Sequence, residues 1–290
     1  MQIRPRRSVL YMPGSNARAL DKAKSLPADA LILDLEDAVA PEAKEGARKQ
    51  VCDAVKAGGY GHRELVIRIN ALDTPWGAAD VAAAAAAAPD AVLLPKPAAG
   101  GDIVRATEAL AKAGAPEKTR LWAMIETPLA ILNVADIAAA GARLACLVMG
   151  TNDLVKETRA DLSVNRRPAL YWLSATVTAA RAFGLDVLDG VYNNFRDAEG
   201  YKRECVHGRR LGFDGKTLIH PDQVAVANEV FAPPEAEVAF ARKIIAAFAQ
   251  PESKGKGVIT VEGRMVELLH AEMAARTVAI AEAIERTKAS

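Results

Sequence analysis

The chain has 290 residues, 51% of them hydrophobic, with a formal net charge of +1 and a pI near 7.7. This length suits one large barrel domain, and the balanced charge gives no electrostatic case for nucleic-acid binding. Apolar stretches stay well short of the roughly 20 residues of a membrane span. No long apolar run follows the basic start, so we expect a cytoplasmic protein. The three cysteines, Cys52, Cys146 and Cys205, lack metal-ligand spacing and are expected to be reduced thiols.

Eight short apolar or β-branched runs recur along the chain, separated by helix-like segments with Gly or Pro at the joints. The predicted strands are Ser8–Met12, Ala30–Leu35, Leu65–Asn70, Ala91–Lys96, Leu121–Thr127, Ala145–Gly150, Leu185–Leu188 and Lys216–His220. Strands that alternate with helices indicate parallel βαβ units, and nearly continuous apolar strands indicate burial on both faces. Eight such units favour a closed (β/α)₈ barrel over an open sheet.

The pattern changes after the eighth predicted strand. The elements that follow are a helix at Glu235–Ala249, a mobile linker at Pro251–Gly257, a hairpin at Val258–Glu267 and a final helix at Leu268–Arg286. We therefore expect a barrel domain over residues 1–232 and a C-terminal extension over residues 233–290. A barrel does not need such an extension, which we interpret as a lid or an oligomerisation arm.

Polar residues follow the predicted strands at their C-terminal ends, the mouth where barrel enzymes hold their chemistry. Besides Glu126 and Asp153 they are Asp34, Glu36, Asp37, Arg68, Asn70, Lys96, Asn152, Asp189 and His220. Glu126 and Asp153 end two consecutive buried strands. Two carboxylates at one mouth, with water in the remaining positions, suit Mg²⁺, with Mn²⁺ as an alternative. The sequence thus predicts a metal-assisted lyase or transferase acting on an oxyanionic substrate.

Seven short segments in this order carry a resemblance to a known family. They are Ser8–Asn16, Leu31–Val39, Val66–Asn70, Leu94–Lys96, Ile125–Thr127, Gly150–Leu154 and Gly215–Pro221. The chain resembles the citrate lyase β-subunit-like family of the HpcH/HpaI aldolase group, which includes malyl-CoA, β-methylmalyl-CoA and citramalyl-CoA lyases. The resemblance implies a (β/α)₈ barrel that uses Mg²⁺ to cleave or form a C–C bond next to a CoA thioester. It also implies a homo-oligomer, a trimer or hexamer, in which the lid of one subunit closes a neighbour's site.

The resemblance also implies roles for individual residues. Glu126 and Asp153 match the family's metal-binding carboxylates, and Arg68 matches its active-site arginine. Arg18 and Lys22, one helical turn apart, are similar to the basic residues that hold the CoA phosphates.

One departure from the family pattern lies in the predicted lid. Where the family has an aspartate after a Gly-x-Met-[Ile/Val] string, usually with a proline nearby, this chain has Glu267 and no proline. The glutamate is one methylene longer, and placement errors of about 1 Å can cost about a hundredfold in rate. Glu262, in the same hairpin, is a second candidate for this acid.

Cleavage of a 3-hydroxyacyl-CoA requires loss of the hydroxyl proton and stabilisation of a thioester enolate. Arg68 suits an enolate oxygen or a carboxylate, and Glu267 is the candidate general acid/base. We include Asp37 among the catalytic candidates because, with its neighbouring acids, it is expected to fix Arg68 and water at the metal. Lys96 and Asn152 are expected to bind substrate beside Arg68. The favoured activity is therefore a carbon–carbon lyase that yields a 2-oxo acid and acetyl-CoA.

Other interpretations of these residues and of the whole chain remain open. Arg68 could form a structural ion pair with Asp37, Glu126 could cap a helix, and Arg18 and Lys22 could be a solvated helix face. The same metal site could activate water in a malyl-CoA-type thioesterase, whose product would be free malate. The chain could also be a citrate lyase β subunit that needs partner proteins, or a non-catalytic CoA-binding homologue.

Overall fold

A computed structural model of the protein describes residues 3–288. The strands are β1 (Ser8–Pro13), β2 (Ala30–Asp34), β3 (Glu64–Arg68), β4 (Ala91–Leu94), β5 (Arg120–Ile125), β6 (Leu144–Met149), β7 (Asp186–Asp189), β8 (Gly215–Leu218), β9 (Val258–Val261) and β10 (Arg264–Glu267). Strands β1 to β8 are parallel and close into a barrel in sequential order, and β9 and β10 form an antiparallel hairpin. The predicted (β/α)₈ barrel is confirmed, and each predicted strand end lies within two residues of the observed one.

Helices fill the connections between the strands and form the C-terminal region. They are α1 (Ala17–Lys22), α2 (Lys44–Ala57), α3 (Gly77–Ala87), α4 (Gly100–Lys112), α5 (Pro128–Leu132), α6 (Val134–Ala139), α7 (Thr151–Thr158), α8 (Leu170–Ala182), α9 (Ala198–Leu211), α10 (Val224–Phe231), α11 (Glu235–Phe248) and α12 (Leu268–Lys288). Among the residues described, none of these helices is both long and apolar enough to cross a bilayer. The three cysteines are free and buried.

The barrel core consists of strand side chains that are buried on both faces of the sheet. All five residues of β2 and all five of β3 are buried, which explains their almost unbroken apolar sequence. Trp122 is the largest fully buried side chain and packs in the interior with Ile32, Val66 and Leu93. This rigid interior fixes where the strand ends lie, and so fixes the side chains that follow them.

The chain divides into two compact units. One is the barrel unit, Arg6–Asn228, and the other, which we call the C-terminal unit, comprises the described residues of Met1–Pro5 and Glu229–Ser290. The C-terminal unit has its own small core, in which Ile244 of α11 packs with Val261 and Val266 of the hairpin and with Ala274 of α12. The domain boundary at residue 232 remains a proposal.

Candidate active site

The C-terminal ends of β2 to β6 bring seven charged side chains to one end of the barrel. We call this set the mouth cluster: Asp34, Glu36, Asp37, Arg68, Lys96, Glu126 and Asp153. Asp34 and Arg68 are the last residues of β2 and β3 and are register partners in the sheet. Parallel strands end at the same edge, so residues as far apart in the chain as Glu36 and Glu126, 90 positions, influence each other here.

Arg68 is the centre of the mouth cluster and is held by three carboxylates. Its Nε and Nη2 donate to the two oxygens of Asp34 at 2.7 and 2.6 Å. Its Nη1 lies 2.7 Å from Glu36 Oε2 and 3.2 Å from Asp37 Oδ2. Burial opposes the positive charge, but Asp34 and the other acids hold the pKa of Arg68 well above its usual value. Arg68 does form an ion pair with Asp37. This pair is one of three carboxylate contacts that hold a permanent cation at the mouth.

Lys96 joins two acids of the mouth cluster through different groups. Its backbone N–H donates to Glu126 Oε1 at 2.9 Å, and its Nζ lies 2.6 Å from Glu36 Oε1. The residue has a φ of +51°, a left-handed conformation that strains a residue with a side chain. With its N–H on Glu126 and its Nζ on Glu36, Lys96 positions a proposed metal ligand as well as adding positive charge.

Glu126 has one carboxylate oxygen that lacks a partner. The residue is fully buried, and its Oε2 makes no hydrogen bond among the described residues. Burial raises the pKa of Glu126 to about 7; Lys96 opposes this rise, and the charges of Glu36 and Asp153 add to it. Gly150, at the end of β6, leaves the space for this side chain, since an added Cβ would lie 2.8 Å from Oε2. A buried, unpaired acceptor beside a second carboxylate fits a bound cation.

The donor set and the charge of the mouth cluster also fit a divalent metal. Its five carboxyl groups face two cations, Arg68 and Lys96, which leaves an excess of negative charge when all are ionised. In residues 3–288 no group of three or more His, Cys, Asp or Glu side chains is placed to hold a metal. Glu126 and Asp153 would therefore act as two ligands, with water or substrate in the other positions. Mg²⁺ commonly binds in this way.

The loop that carries Glu36 rests on polar groups that sequence analysis missed. Lys44 is buried, and its Nζ donates to the backbone carbonyls of Leu35 at 3.0 Å and Glu36 at 2.9 Å. Asn70 Nδ2 donates to the same Leu35 carbonyl and to the buried Asp80 carboxylate. Asn70, expected at the mouth, thus helps to hold this loop through the Leu35 carbonyl. In the sequence, Lys44 looks like an ordinary charge at the start of a helix, so no pattern marked it.

The remaining candidate residues have other surroundings. Asn152, at the start of α7, is exposed and exchanges amide hydrogen bonds with Asn193, the shorter being 2.8 Å. Arg18 and Lys22 are both exposed on α1. Glu267 belongs to the C-terminal unit, where it ends β10 half-buried and its backbone N–H donates to His270 Nδ1 at 2.9 Å. The structure thus brings together Arg68, Asp37, Lys96, Glu126 and Asp153 of the predicted site residues.

Asp189 ends β7, as expected, but its carboxylate contacts a different set of charged side chains. Its carboxylate pairs with Arg166 at 2.7 Å and with the fully buried Lys216 at 3.1 Å. Gly208 of α9 lies against it, since an added Cβ there would be 2.6 Å from Asp189 Oδ2. Burial raises the pKa of Asp189, but Lys216 and Arg166 outweigh it and hold that pKa below its usual value. This ion cluster joins the sheet to its helix layer and is not part of the mouth cluster.

Comparisons with known proteins agree with the fold and with the motifs. The sequence profile of the HpcH/HpaI aldolase/citrate lyase family matches residues 7–221. The chain is 49% identical over 289 residues to a (3S)-malyl-CoA thioesterase of Cereibacter sphaeroides (strain KD131 / KCTC 12085), covering 100% of this chain and 99% of the relative. It is 35% identical over 269 residues to citrate lyase subunit beta of Escherichia coli (strain K12), covering 91% and 89%. The structure of protein CitE from Mycobacterium tuberculosis in complex with magnesium, acetoacetate and coenzyme A has a TM-score of 0.74 and 31% identity, covering 94% of this chain and 97% of that one.

Proposed function

The chain belongs to the HpcH/HpaI aldolase/citrate lyase family, and on that premise we propose that it is a Mg²⁺-dependent hydrolase of a malyl-CoA-type thioester. The structural observation that carries the proposal is the buried, unpartnered Oε2 of Glu126 beside the Asp153 charge. The full-length similarity to a protein named (3S)-malyl-CoA thioesterase supports hydrolysis. The CitE complex with magnesium and coenzyme A supports the metal and the CoA moiety.

Carbon–carbon cleavage of the same class of thioester is the second candidate. It is supported by the similarity to citrate lyase subunit beta and by a mouth cluster that suits either reaction. Both reactions need a bound oxyanionic substrate and a base, and they differ in whether the base acts on water or on the substrate hydroxyl. The substitution of glutamate for the family aspartate at position 267 favours hydrolysis, because the longer stem shifts the base away from the place that the lyase step requires.

In the proposed mechanism, Glu126 and Asp153 would hold the metal. When bound, Mg²⁺ polarises the oxygens of the substrate and lowers the pKa of a hydroxyl or water. Lys96 keeps Glu126 Oε1 in place through its backbone N–H, which leaves Oε2 for the metal. Lys96 Nζ and Asn152 are proposed to bind the substrate carboxylate.

Arg68 is proposed to bind an oxygen of the substrate that becomes negative during the reaction. Asp34 and Glu36 are nearly buried and fix the guanidinium, whereas the Asp37 side chain is 58% exposed. The 3.2 Å contact from Asp37 to Nη1 is the weakest of the three carboxylate contacts. Asp37 is therefore the partner that a substrate oxygen can displace.

The CoA moiety and the general base come from other parts of the chain in this proposal. Arg18 and Lys22, both exposed on α1, would bind CoA phosphates. Glu267 would act as the general base, supplied by the C-terminal unit of a neighbouring subunit in a homo-oligomer. The proposal thus requires both units of the chain, and it makes catalysis depend on assembly.

Product analysis with (3S)-malyl-CoA and Mg²⁺ tests the proposed function. Hydrolysis releases free malate and CoA thiol, and carbon–carbon cleavage releases a 2-oxo acid and acetyl-CoA. We expect malate and free thiol, and the β-methylmalyl and citramalyl thioesters serve as substrate comparisons. If the Mg²⁺-loaded protein turns over none of these thioesters, the proposed function is wrong.

A further inference from the structure

Two hydrogen-bond donors in the mouth of the barrel converge on one sulfur atom. The hydroxyl of Tyr11, on β1, lies 3.7 Å from Met124 Sδ. Arg68 Nη1 lies 3.7 Å from the same sulfur. The Tyr11 ring also stacks on the guanidinium, whose central carbon is 5.0 Å from the ring centroid. The three side chains therefore form one unit in which both donors point to a single place.

The sulfur is a poor partner for the Tyr11 hydroxyl, whereas Arg68 Nη1 also contacts the carboxylates of Glu36 and Asp37 at 2.7 and 3.2 Å. A thioether is a weak acceptor, and buried donors are normally satisfied by oxygen. Within residues 3–288, Met124 Sδ is the only hydrogen-bond partner of the Tyr11 hydroxyl. Burial raises the pKa of this hydroxyl, Arg68 opposes the rise, and the carboxylates of Asp34 and Glu126 add to it. Tyr11 consequently keeps its proton and remains a donor throughout the working pH range.

We propose that the Tyr11 hydroxyl and Arg68 Nη1 form a two-donor site for the thioester carbonyl oxygen of the substrate. The inference rests on the proposed function and adds a residue to which the sequence analysis gave no role. A carbonyl oxygen is a stronger acceptor than a thioether, and its advantage grows as negative charge develops on it. The substrate oxygen therefore replaces Met124 Sδ as the acceptor of the Tyr11 hydroxyl and displaces Asp37 from Arg68 Nη1.

The site serves hydrolysis and carbon–carbon cleavage equally well. In hydrolysis, water adds to the thioester carbon and loses a proton to the base, while the C=O π electrons move to the oxygen. When they return, the C–S bond breaks and the CoA thiolate takes up the proton. In cleavage, the hydroxyl proton goes to the base and the electrons of the C–C bond form an enolate with its charge on the same oxygen. Carbon protonation then gives acetyl-CoA.

The Tyr11→Phe substitution isolates the hydroxyl from the ring. Phenylalanine retains the aromatic face over Arg68 and the packing in the barrel core, where Tyr11 contacts the interior cluster. Tyr201→Phe is the matched control, because it removes a buried hydroxyl of α9 that donates to the Gln223 carbonyl at 3.0 Å and contacts no member of the mouth cluster. A difference in kcat between the two variants then shows that the position of the lost hydroxyl matters.

The test compares kcat, KM and the Mg²⁺-induced rise in Tm for wild type and both variants with the malyl-CoA thioester. For Tyr11→Phe we expect kcat to fall about a hundredfold, as for loss of one oxyanion donor. KM should change less than about threefold because the interaction strengthens in the transition state. The Mg²⁺-induced Tm shift should equal that of wild type, and Tyr201→Phe should keep wild-type kinetics.

Three results would overturn the inference while wild type is active: an unchanged kcat in Tyr11→Phe, an increase confined to KM, or loss of the Mg²⁺-induced Tm shift. The second would mean that the hydroxyl binds the ground state, and the third that the substitution damages the metal site. If wild type itself turns over no CoA thioester, the proposed function fails, which is a different result from the failure of Tyr11 alone.

Discussion

Burial and metal binding favour opposite protonation states of Glu126. Burial raises its pKa from 4.5 to about 7, whereas a metal ligand must be ionised. In the metal-free protein the folded state retains this proton at a pH where the unfolded chain has released it. The folded state is therefore stabilised below about pH 4.5, and this contribution is lost as the pH rises through about 7. At about 1.4 kcal/mol per pH unit, the loss is about 3 kcal/mol.

The first prediction is that Mg²⁺ reverses this loss of stability. In EDTA, the free energy of unfolding should fall between about pH 4.5 and 7, and added Mg²⁺ should restore it near and above pH 7 by binding the ionised carboxylate. Glu126→Gln keeps the shape without the titration, so its stability in this window should depend less on pH and should not respond to Mg²⁺. Denaturant unfolding at several pH values measures this. Identical pH profiles for wild type and variant would contradict the prediction.

The second prediction concerns Arg18 and Lys22 on α1. Reversing both charges to glutamate should raise KM for the CoA thioester and change kcat little, because phosphate contacts are similar in the ground and transition states. The control reverses Lys112 and Lys118, two exposed lysines at the end of α4 and in the turn before β5, with the same change of net charge. Steady-state kinetics measures both. An unchanged KM in the α1 variant would mean that CoA binds elsewhere.

At the scale of single residues, sequence predicted the groups that end strands and missed those that act across the barrel. Arg68, Glu126 and Asp153 stand where apolar runs stop, so the pattern itself marks them. In the sequence, Tyr11 resembles any aromatic residue of a barrel core, and its partner Met124 is 113 positions away. Only closure of the barrel brings them together, so no local signal was available.

At the scale of elements, the hairpin of the C-terminal unit sets the position of Glu267. Strands β9 and β10 pair in a register that places Glu267 opposite Val258. Glu262 and Gly263 form the two-residue turn with φ values of +48° and +76°, as expected for a tight hairpin that follows the strand twist. Glu267 therefore stands at the hairpin's exit, directly before α12.

The third prediction is that Glu267→Ala lowers kcat by about 10² to 10⁴, the usual contribution of a general base, with a small change in KM. Glu267→Asp should also reduce hydrolysis, because the shorter stem withdraws the carboxylate by about one methylene. Glu262→Ala, in the same hairpin, tests the second candidate acid. A greater loss of kcat from Glu262→Ala than from Glu267→Ala would assign the role to Glu262.

The sequence predicted the strands more readily than the side-chain contacts between them. Apolar runs located all eight barrel strands because parallel strands are buried on both faces. The same pattern did not indicate that Lys216, inside β8, is fully buried and pairs with Asp189 and Glu204. Such an ion cluster depends on side chains from a neighbouring strand and from α9, which sequence order does not relate.

At the scale of the whole molecule, the C-terminal unit presents apolar side chains to solvent. Met265, Leu268, Leu269 and Met273 are each at least half exposed. Such a group of exposed apolar residues is typical of an interaction surface. If a neighbouring subunit covers this apolar surface, the same unit can supply Glu267 to that subunit's site in trans.

The fourth prediction follows from that arrangement. Mixing Glu126→Ala with Glu267→Ala protein, under conditions that allow subunit exchange, should restore part of the activity that each lacks. Some sites would then combine an intact mouth cluster with an intact Glu267. Exchange is verified with labelled subunits, and Glu126→Ala mixed with Asp153→Ala is the control that should not recover. Absence of recovery despite proven exchange would mean that Glu267 acts within its own chain or not at all.

The central claim is that the mouth cluster binds a divalent cation that the CoA-thioester chemistry requires. The direct measurement is turnover of (3S)-malyl-CoA by EDTA-treated wild-type protein, before and after addition of excess Mg²⁺, with both free thiol and 2-oxo acid followed. We predict no turnover in EDTA and release of free thiol once Mg²⁺ is added, with neither response in Glu126→Gln. Undiminished turnover by the EDTA-treated protein would contradict the claim.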